Sequence, residues 1–233
     1  MENILVALQA HPDLAKLDFE DGVARQFTAD RLANPSSISR IMVDLRAEDQ
    51  GNRSPGNEGI DGLLWMSAHD PVDLGPDRLR EQLEPVATDI AGWTIDSRVV
   101  RPVDVTWPGT ATPGTKIVIM IRRATNGAVD TFTDELDAVV DQASGRMLAG
   151  ACARHLVTGE LFRAPMLDAV ITLWFPTVAR AEEARSLGVF EPIEQAAAFD
   201  TAATRSLVVF EHRLHPNPNA WFDDPASRIV AEV

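Results

Sequence analysis

The stretch LDAVITLWFPTVARAEEARS, from Leu167 to Ser186, changes its hydrophobic period at Pro176. The residues before the proline form a nearly continuous apolar run of strand length, and the alanine-rich residues after it have helical spacing. Thr177 directly follows the proline and is a residue type that caps helices. The stretch therefore predicts a buried strand that leads directly into a helix, with the aromatic pair Trp174-Phe175 at the end of the strand.

Similar apolar runs recur along the chain, and most of them are rich in valine and isoleucine, which favours strands. They form two sets of four: Ile4–Leu8, Ile41–Leu45, Gly62–Ala68 and Thr94–Val100, followed by Ile117–Ile121, Met147–Ala153, Ala169–Phe175 and Leu207–Phe210.

A segment with helical spacing separates the first and second strands of each set. In the second set one apolar face comprises Phe132, Leu136, Val139, Val140 and Ala143. Thr131 with Asp134 resembles a capping box, and Gly145 is a stop signal. In the first set the equivalent face is weaker and comprises Phe19, Val23 and Phe27.

A second helix is predicted after the third strand of each set. Residues 77–90 place Leu79, Leu83, Val86 and Ile90 on one stripe, with a kink at Pro85. Residues 177–188 form its equivalent and continue into a short helix near Glu191–Phe199.

Each half therefore has the order β-α-β-β-α-β, which is the ferredoxin-like plan. Equivalent long loops, 48–59 and 155–165, are predicted between the second and third strands. We divide the chain into a first half at 1–101, a Pro/Gly/Thr-rich linker at 102–115, a second half at 116–214 and a tail at 215–233. Because the strands show little alternation, both faces of each sheet are expected to be covered. The prediction is an α+β fold in which tandem ferredoxin-like repeats pack their sheets together as an intrachain pseudo-dimeric α+β barrel.

The overall composition excludes several classes of partner. The net charge is −14 and the lysines are only Lys16 and Lys116, so nucleic acid and anionic membranes are not expected partners. The N-terminus lacks the features of a signal peptide, and no apolar run is long enough to span a membrane, which predicts a cytoplasmic protein. The single cysteine, Cys152, lies in an apolar run and is expected to be a buried thiol.

The C-terminal half, from Ile117 to Leu214, resembles an EthD-type member of the dimeric α+β barrel superfamily. The resemblance is carried by KIVIMIRR (116–123), LWF (173–175), AAAFD (196–200) and RSLVVFEHRL (205–214). The superfamily includes muconolactone isomerases, polyketide cyclases, cofactor-free quinone-forming monooxygenases and haem-dependent enzymes. The resemblance implies the barrel fold and a small, often aromatic, ligand, but no single reaction. One feature departs from the family, because EthD-like proteins commonly carry a Trp and a His in the first helix and neither helix here contains them.

One candidate site lies in the first half. We expect the first and third strands to run parallel, so that their ends bring His11 close to His69 and Asp70. The fourth strand would begin at the same pole with Trp93 and Asp96. In this hypothesis His69 is a general base, Asp70 or Asp96 orients it, and His11 is a second proton carrier. The alternative is that both histidines belong to solvated turns before prolines.

A second candidate site lies at the equivalent pole of the second half, where Arg122 would clamp an acidic ligand beside Trp174. Core packing is the alternative for the aromatic pair. Asp44, inside a predicted strand, requires a partner if it is buried, and Arg154 on the opposite half is the expected one. A ligand-orienting role for Asp44 is the alternative.

The histidines and the lone cysteine have no metal-ligand spacing, and no nucleotide or haem motif is present, so no metal and no cofactor are predicted. We therefore predict a small-molecule protein, either a cofactor-free isomerase, cyclase or lyase acting on an aromatic or polyketide-like acid, or a non-catalytic binding barrel. A cofactor-free monooxygenase is a weaker alternative, and a homodimer is left open.

Overall fold

The computed structural model describes residues 2–27, 38–47, 59–68, 75–101, 114–125, 127–146, 150–162 and 164–215. The first half comprises β1 (Glu2–Ala10), α1 (Lys16–Gln26), β2 (Ile38–Arg46), β3 (Gly62–Ala68), α2 (Pro76–Leu83) and β4 (Ala87–Arg101). The second half comprises β5 (Thr115–Ile121), α3 (Val129–Arg146), β6 (Ala151–Phe162), β7 (Ala169–Phe175), α4 (Val178–Ser186), α5 (Glu191–Gln195) and β8 (Arg205–His215).

The strands close into one barrel in the order β1-β3-β2-β8-β5-β7-β6-β4, and every neighbouring pair is antiparallel. Each half supplies four consecutive strands of this ring, and the halves join at the β2–β8 and β4–β6 pairs. The predicted intrachain α+β barrel is therefore confirmed. The division of the chain into domains at residues 102–115 stays a prediction.

Three apolar layers follow from the alternation of strand side chains between the two faces of the sheet. One cluster draws its strand residues from both halves, contains no helical residue and fills the barrel, with Leu5, Trp65, Trp93, Val118 and Val170 among its members. The other two clusters lie outside the barrel, where helices cover each half of the sheet. Both faces of the strands are buried, which explains why their sequences show so little alternation.

The expected parallel pairing of the first and third strands is wrong. β1 and β3 are antiparallel, with Leu8 opposite Gly62 and Glu2 opposite Ala68. The helical crossover α1 makes β2 run in the same direction as β1, and β3 turns back from β2 to lie between them. β3 must therefore oppose both neighbours, and the C-terminal ends of β1 and β3 lie at opposite ends of the sheet.

Two element boundaries also differ from the prediction. α2 ends at Leu83, because the ring of Pro85 cannot continue a helix, and the chain enters β4 at Ala87. Ile90 therefore belongs to a strand rather than to the predicted helical stripe. β6 continues to Phe162 through most of the predicted loop 155–165, because it pairs with β4 of the other half as far as Gly92. That pairing exists only in the closed barrel.

The predicted helical faces are confirmed more closely. Phe19 and Val23 of α1 and the apolar stripe of α3 are buried. The Oγ1 atom of Thr177 accepts a hydrogen bond from the amide of Arg180, so the helix that follows Pro176 is capped as expected. The predicted cap at Thr131 is wrong, since α3 already begins at Val129. Among the helices in the described part of the chain, none is long and apolar enough to cross a membrane.

Candidate functional site

The C-terminal ends of β1 and β3, which were expected to bring the two histidines together, lie at opposite ends of the sheet. His11 follows the end of β1, and its side chain is 43% exposed and lies 3.6 Å from the carboxylate of Asp13 in a turn. His69 and Asp70 lie outside the described residues. Ala68, which precedes them, pairs with Glu2 at the far end of β1, about nine residues or roughly 30 Å from His11. A mechanism in which His11 and His69 share one proton is therefore not supported by the strand directions.

The two residues predicted on the fourth strand face opposite sides of the barrel wall. Trp93 lies within β4 rather than at its start, pairs with Leu5 and is buried in the barrel interior. Asp96 is exposed on the outer side, where its carboxylate lies 3.5 Å from the guanidinium of Arg154. Positions three apart on a strand point to opposite faces, so Asp96 and Trp93 cannot line the same site.

Arg122 and Trp174 are also separated. Trp174 pairs with Lys116 at the start of β5, whereas Arg122 follows Ile121, which pairs with Ala169. The two residues therefore lie at opposite ends of the β5–β7 pair, roughly 20 Å apart at the usual rise of a strand. Phe175 packs in the outer core, so neighbouring aromatic residues face different sides. The predicted clamp for an acidic ligand is not formed.

Inside the barrel, four polar side chains form what we call the interior cluster: Asp44, Trp65, Lys116 and Glu211. The Nζ atom of Lys116 lies 2.8 Å from Oδ2 of Asp44 and 3.0 Å from Oε2 of Glu211. The indole Nε1 of Trp65 donates a hydrogen bond of 2.6 Å to the same Oδ2. The ammonium also lies 5.0 Å from the centroid of the Trp65 ring, within cation–π range.

Strand pairing brings these residues together from four strands. Asp44 of β2 lies directly opposite Glu211 of β8, at the junction between the two halves. Lys116 comes from β5, the other neighbour of β8, and Trp65 from β3, the other neighbour of β2. All four are at least nine-tenths buried, so the cluster is shielded from water. It exists only because the two halves share one barrel.

Burial and charge act in different directions on the members of the cluster. The pKa of Asp44 is raised from its ordinary value of 3.8 to about 6. Burial is the main cause and the nearby Glu211 contributes in the same direction, while the attraction of Lys116 opposes both. Burial also disfavours the ammonium of Lys116, but the attraction of Asp44 and Glu211 outweighs it and holds the pKa of Lys116 above its ordinary value. The cluster thus combines a stable cation with a carboxyl group that titrates near neutral pH.

The two carboxylate oxygens of Asp44 have different environments. Oδ2 accepts hydrogen bonds from both Trp65 and Lys116. Oδ1 is equally buried, and within the described part of the chain it has no hydrogen-bond partner. An unpaired buried acceptor is costly, so Oδ1 is a position where a hydrogen-bond donor would be stabilising.

A neutral imidazole lies next to the cluster. The rings of His155 and Trp65 have centroids 4.8 Å apart. Nδ1 of His155 is 2.8 Å from Oγ of Ser97, and Nε2 is 3.3 Å from Oγ1 of Thr172. The Thr172 hydroxyl also lies 3.5 Å from the carbonyl oxygen of Ala153, and each ring nitrogen of His155 has a hydroxyl partner. Burial, with further repulsion from Lys116, Arg40 and Arg154, lowers the pKa of His155 well below its ordinary value, so the ring is neutral at neutral pH.

The predicted pairing of Asp44 with Arg154 is wrong. Arg154 shares a face with Cys152 on the outer side of β6, where Nε lies 2.7 Å from the carboxylate of Asp137 on α3. Asp44 faces inward and pairs with Lys116 instead. The expectation that Asp44 is buried and paired holds, but the partner is a residue that the sequence reading did not weigh. Lys116, one of two lysines in the chain and the first residue of an apolar strand run, was the available signal.

Two further features limit the chemistry. In the described ranges no group of three or more His, Cys, Asp or Glu side chains is arranged to hold a metal ion. Cys152 is buried, and burial, with a contribution from Asp141, raises the pKa of its thiol to about 12. A thiol with that pKa is a poor nucleophile at neutral pH.

Comparison with known proteins gives structural relatives only. No family model and no curated protein sequence matches the chain. An anthrone oxidase-like protein superposes with a TM-score of 0.59 at 10% identity, covering 92% of this chain and 93% of that one. A Fusobacterium nucleatum protein described as a monooxygenase gives a TM-score of 0.58 at 6% identity, covering 93% of each chain. A chlorite dismutase variant from Candidatus Nitrospira defluvii gives a TM-score of 0.51 at 12% identity, covering 97% of this chain and 94% of that one. At these identities the likeness concerns architecture, and the chain has the fold of the dimeric α+β barrel proteins.

Proposed function

We propose that the protein is an EthD-like small-molecule enzyme that transfers a proton on an aromatic or polyketide-like compound without a bound cofactor. The single observation that carries this proposal is Asp44, a fully buried carboxylate with one anchored oxygen and one oxygen that has no hydrogen-bond partner among the described residues. Its raised pKa of about 6 supports a role in acid–base chemistry near neutral pH.

Each member of the interior cluster has a role in this proposal. Oδ1 of Asp44 takes a proton from a carbon next to a carbonyl group or from an enol hydroxyl, and the electron pair remains on the substrate as an enolate. From a phenol the same transfer leaves a phenolate. Lys116 and Trp65 hold Oδ2 in place during the transfer. Once Asp44 is protonated, Glu211 alone balances the charge of Lys116. Return of the proton to a different substrate atom completes an isomerisation.

Access to Asp44 requires movement, because its side chain is completely buried. Met42 and Met120 belong to the apolar lining of the barrel interior. Methionine side chains are unbranched and adapt readily to a changing neighbour. These two residues are therefore the first candidates to rearrange when a ligand enters.

Two alternatives have support of their own. A non-catalytic binding barrel is favoured by the absence of the family's Trp and His from α1 and α3 and by the complete burial of Asp44. A cofactor-free monooxygenase is favoured by the structural likeness to the Fusobacterium nucleatum protein described as a monooxygenase and to the anthrone oxidase-like protein, and by the indoles of Trp65 and Trp93 inside the barrel. His69 and Asp70 stay predictions, as do a cytoplasmic location and a homodimer.

Anthrone is a suitable probe for all three functions, because its methylene protons are acidic and its enol form is a phenol. We expect the protein in D₂O under nitrogen to accelerate exchange of these protons, measured by ¹H NMR. Asp44→Asn should reduce the catalysed rate by about 10²–10⁴-fold, the usual contribution of a general base. Asp89→Asn, a change at an exposed carboxylate on β4, is the matched control and should leave the rate unchanged.

The outcomes separate the candidates. Equal exchange by the wild type and Asp44→Asn would contradict the proposal. Binding of anthrone with no exchange above the buffer rate would favour a binding protein. Oxygen consumption and quinone formation in air, together with exchange under nitrogen, would favour the monooxygenase.

A further inference from the structure

The charge of the interior cluster limits the ligands that it can accept. Asp44 and Glu211 are carboxylates, and Lys116 is the cation that contacts both. When Asp44 is ionised, two carboxylates share the ammonium of Lys116, and Oδ1 is an oxygen of one of them. His155, which contacts Trp65, is neutral and adds no charge beside the cluster.

Arginines also share the inner face of these strands: Arg40 and Arg46 share the face of Asp44 on β2, and Arg205 shares the face of Glu211 on β8. What an anion meets at Oδ1 itself is the ionised carboxylate of Asp44, in an interior that is shielded from water.

The position of the unpaired oxygen gives the second half of the argument. Oδ1 of Asp44 is a buried acceptor, and its partner must be a hydrogen-bond donor. A hydroxyl group can donate to it, whereas a carboxylate has no hydrogen to give. The surrounding interior is apolar and aromatic, with Trp65, Trp93 and Leu63 among its members, which suits a planar hydrophobic ring.

We propose that the interior site takes its ligand through a neutral hydroxyl group, a phenol or an enol, that donates to Oδ1 of Asp44, and that it rejects a carboxylate at this position. The inference rests on the proposed function only in placing the ligand beside Asp44. It replaces the acidic ligand predicted from the sequence, because that prediction depended on Arg122 lying beside Trp174.

The test compares two probes with the same ring system, 2-naphthol and 2-naphthoate, by calorimetric titration at about pH 8. At that pH the carboxylate probe is ionised and the naphthol retains its proton, as phenols generally do. We expect naphthol to bind the wild type at least about tenfold more tightly than naphthoate. Asp44→Asn should reduce this preference by about tenfold or more, since hydrogen bonds to charged groups are the stronger ones.

A second variant protects the test against a folding defect in Asp44→Asn. Glu211→Gln removes one negative charge and leaves Oδ1 of Asp44 in place. It should bind naphthoate several-fold more tightly than the wild type does, because one of the two buried carboxylates beside Lys116 is neutralised, and it should still prefer naphthol because Oδ1 is unchanged. Circular dichroism shows whether each variant is folded.

Three results would overturn the inference: naphthoate binding the wild type as tightly as naphthol, neither probe binding, or a preference that is the same in the folded variants. This test does not depend on turnover. Selective naphthol binding without anthrone exchange would contradict the proposed function and leave the hydroxyl preference standing. Anthrone exchange that depends on Asp44, together with equal binding of both probes, would support the proposed function and contradict the hydroxyl preference.

Discussion

Two groups of carboxylates and cations can be compared, one inside the barrel and one between the barrel and α3. The first is the interior cluster. The second, the outer network, comprises Arg98 of β4, Arg154 of β6, and Asp137 and Asp141 of α3. Arg98 and Arg154 lie directly opposite each other in the β4–β6 pair, and both contact the Asp137 carboxylate, at 3.1 and 2.7 Å. The two groups use the same chemistry and differ in their access to water.

Exposure determines what each group can do. The side chains of Arg98 and Asp141 are 46% and 56% exposed, so water screens their interactions and the network mainly fixes α3 on the sheet. In the interior cluster no such screening occurs, and the pKa of Asp44 is raised to about 6 by its burial. The comparison shows that ion pairing alone does not mark a candidate site. Incomplete pairing in a buried place does not mark one either, because Arg154 of the outer network is 10% exposed and its Nη1 has no hydrogen-bond partner among the described residues. What distinguishes Asp44 is a carboxyl pKa raised toward neutral.

The largest effect is expected from Lys116→Met, which leaves two buried carboxylates without their cation. Removal of one partner of a buried ion pair costs about 3–5 kcal/mol in the free energy of unfolding. Urea unfolding at about pH 8 measures it. As a matched control, Lys116→Met combined with Asp44→Leu and Glu211→Leu should recover most of the loss. If Lys116→Met is as stable as the wild type, the two buried carboxylates do not depend on Lys116 to balance their charge.

The second effect is a pH dependence with opposite signs at two residues. The folded pKa of Asp44 is raised from 3.8 to about 6, so its contribution to stability is full below about pH 4 and is lost as the pH rises through 6. The folded pKa of His155 is lowered, so its contribution is present above its ordinary pKa of 6.5 and is lost as the pH falls below that value. The two contributions oppose each other between about pH 4 and 6.5.

Single variants should separate the two contributions. From about pH 4 to 7, the wild type should lose on the order of 1–3 kcal/mol relative to Asp44→Asn. As the pH falls from about 6.5 to 5, it should lose on the order of 1–2 kcal/mol relative to His155→Gln. Urea unfolding across this range measures both differences. A pH-independent difference in either comparison would contradict the corresponding pKa shift.

A smaller effect is expected from Asp137→Asn in the outer network. The change leaves Arg98 opposite Arg154 without the carboxylate between them, and directly opposed like charges destabilise a strand pair. We expect a loss of about 1–2 kcal/mol, measured by urea unfolding at low salt. The loss should shrink at high salt, because the network is partly exposed. A salt-independent loss would show that packing, rather than charge, is responsible.

The smallest effect is expected from Arg98→Met. Its pairs with Asp137 and Asp141 are solvent-exposed, and such pairs contribute about 0–1 kcal/mol. In the Asp137→Asn background the same change should be neutral or stabilising, because it removes the unbalanced contact with Arg154. A loss comparable to that of Lys116→Met would abolish the distinction between the two groups.

Much of the fold could be predicted because it depends on local patterns. The apolar runs gave Gly62–Ala68 and Ala169–Phe175 with their observed limits, and the helical stripe of α3 is buried as expected. Errors occurred where distant pairing overrides local preference. β6 extends through a predicted loop because β4 lies beside it, and residues 87–90 join a strand although their apolar spacing continued that of α2.

The candidate site was predicted only in part. Asp44 was identified because a charge within an apolar strand needs a partner, and that reasoning uses the sequence alone. Lys116, Glu211 and Trp65 were not connected to it, since they come from three other strands as far as 167 positions away in the sequence (211 − 44 = 167). The parallel pairing assumed in the His11–His69 hypothesis is wrong, because β3 inserts between β1 and β2 and runs opposite to both. The role of His69 itself stays a prediction.

The sequence by itself determined the elements, their repeated order and the relative faces of residues within one strand, because these follow from periods of two and 3.6 residues. It determined that Asp44 and Arg46 share a face, and that Trp174 and Phe175 do not. Only the tertiary structure decided which face is inside the barrel and which strands are neighbours. Alternation specifies sides only relative to each other, and closure of the barrel makes one of them the interior. That closure places Lys116 against Asp44 and turns an isolated buried charge into a candidate acid–base centre.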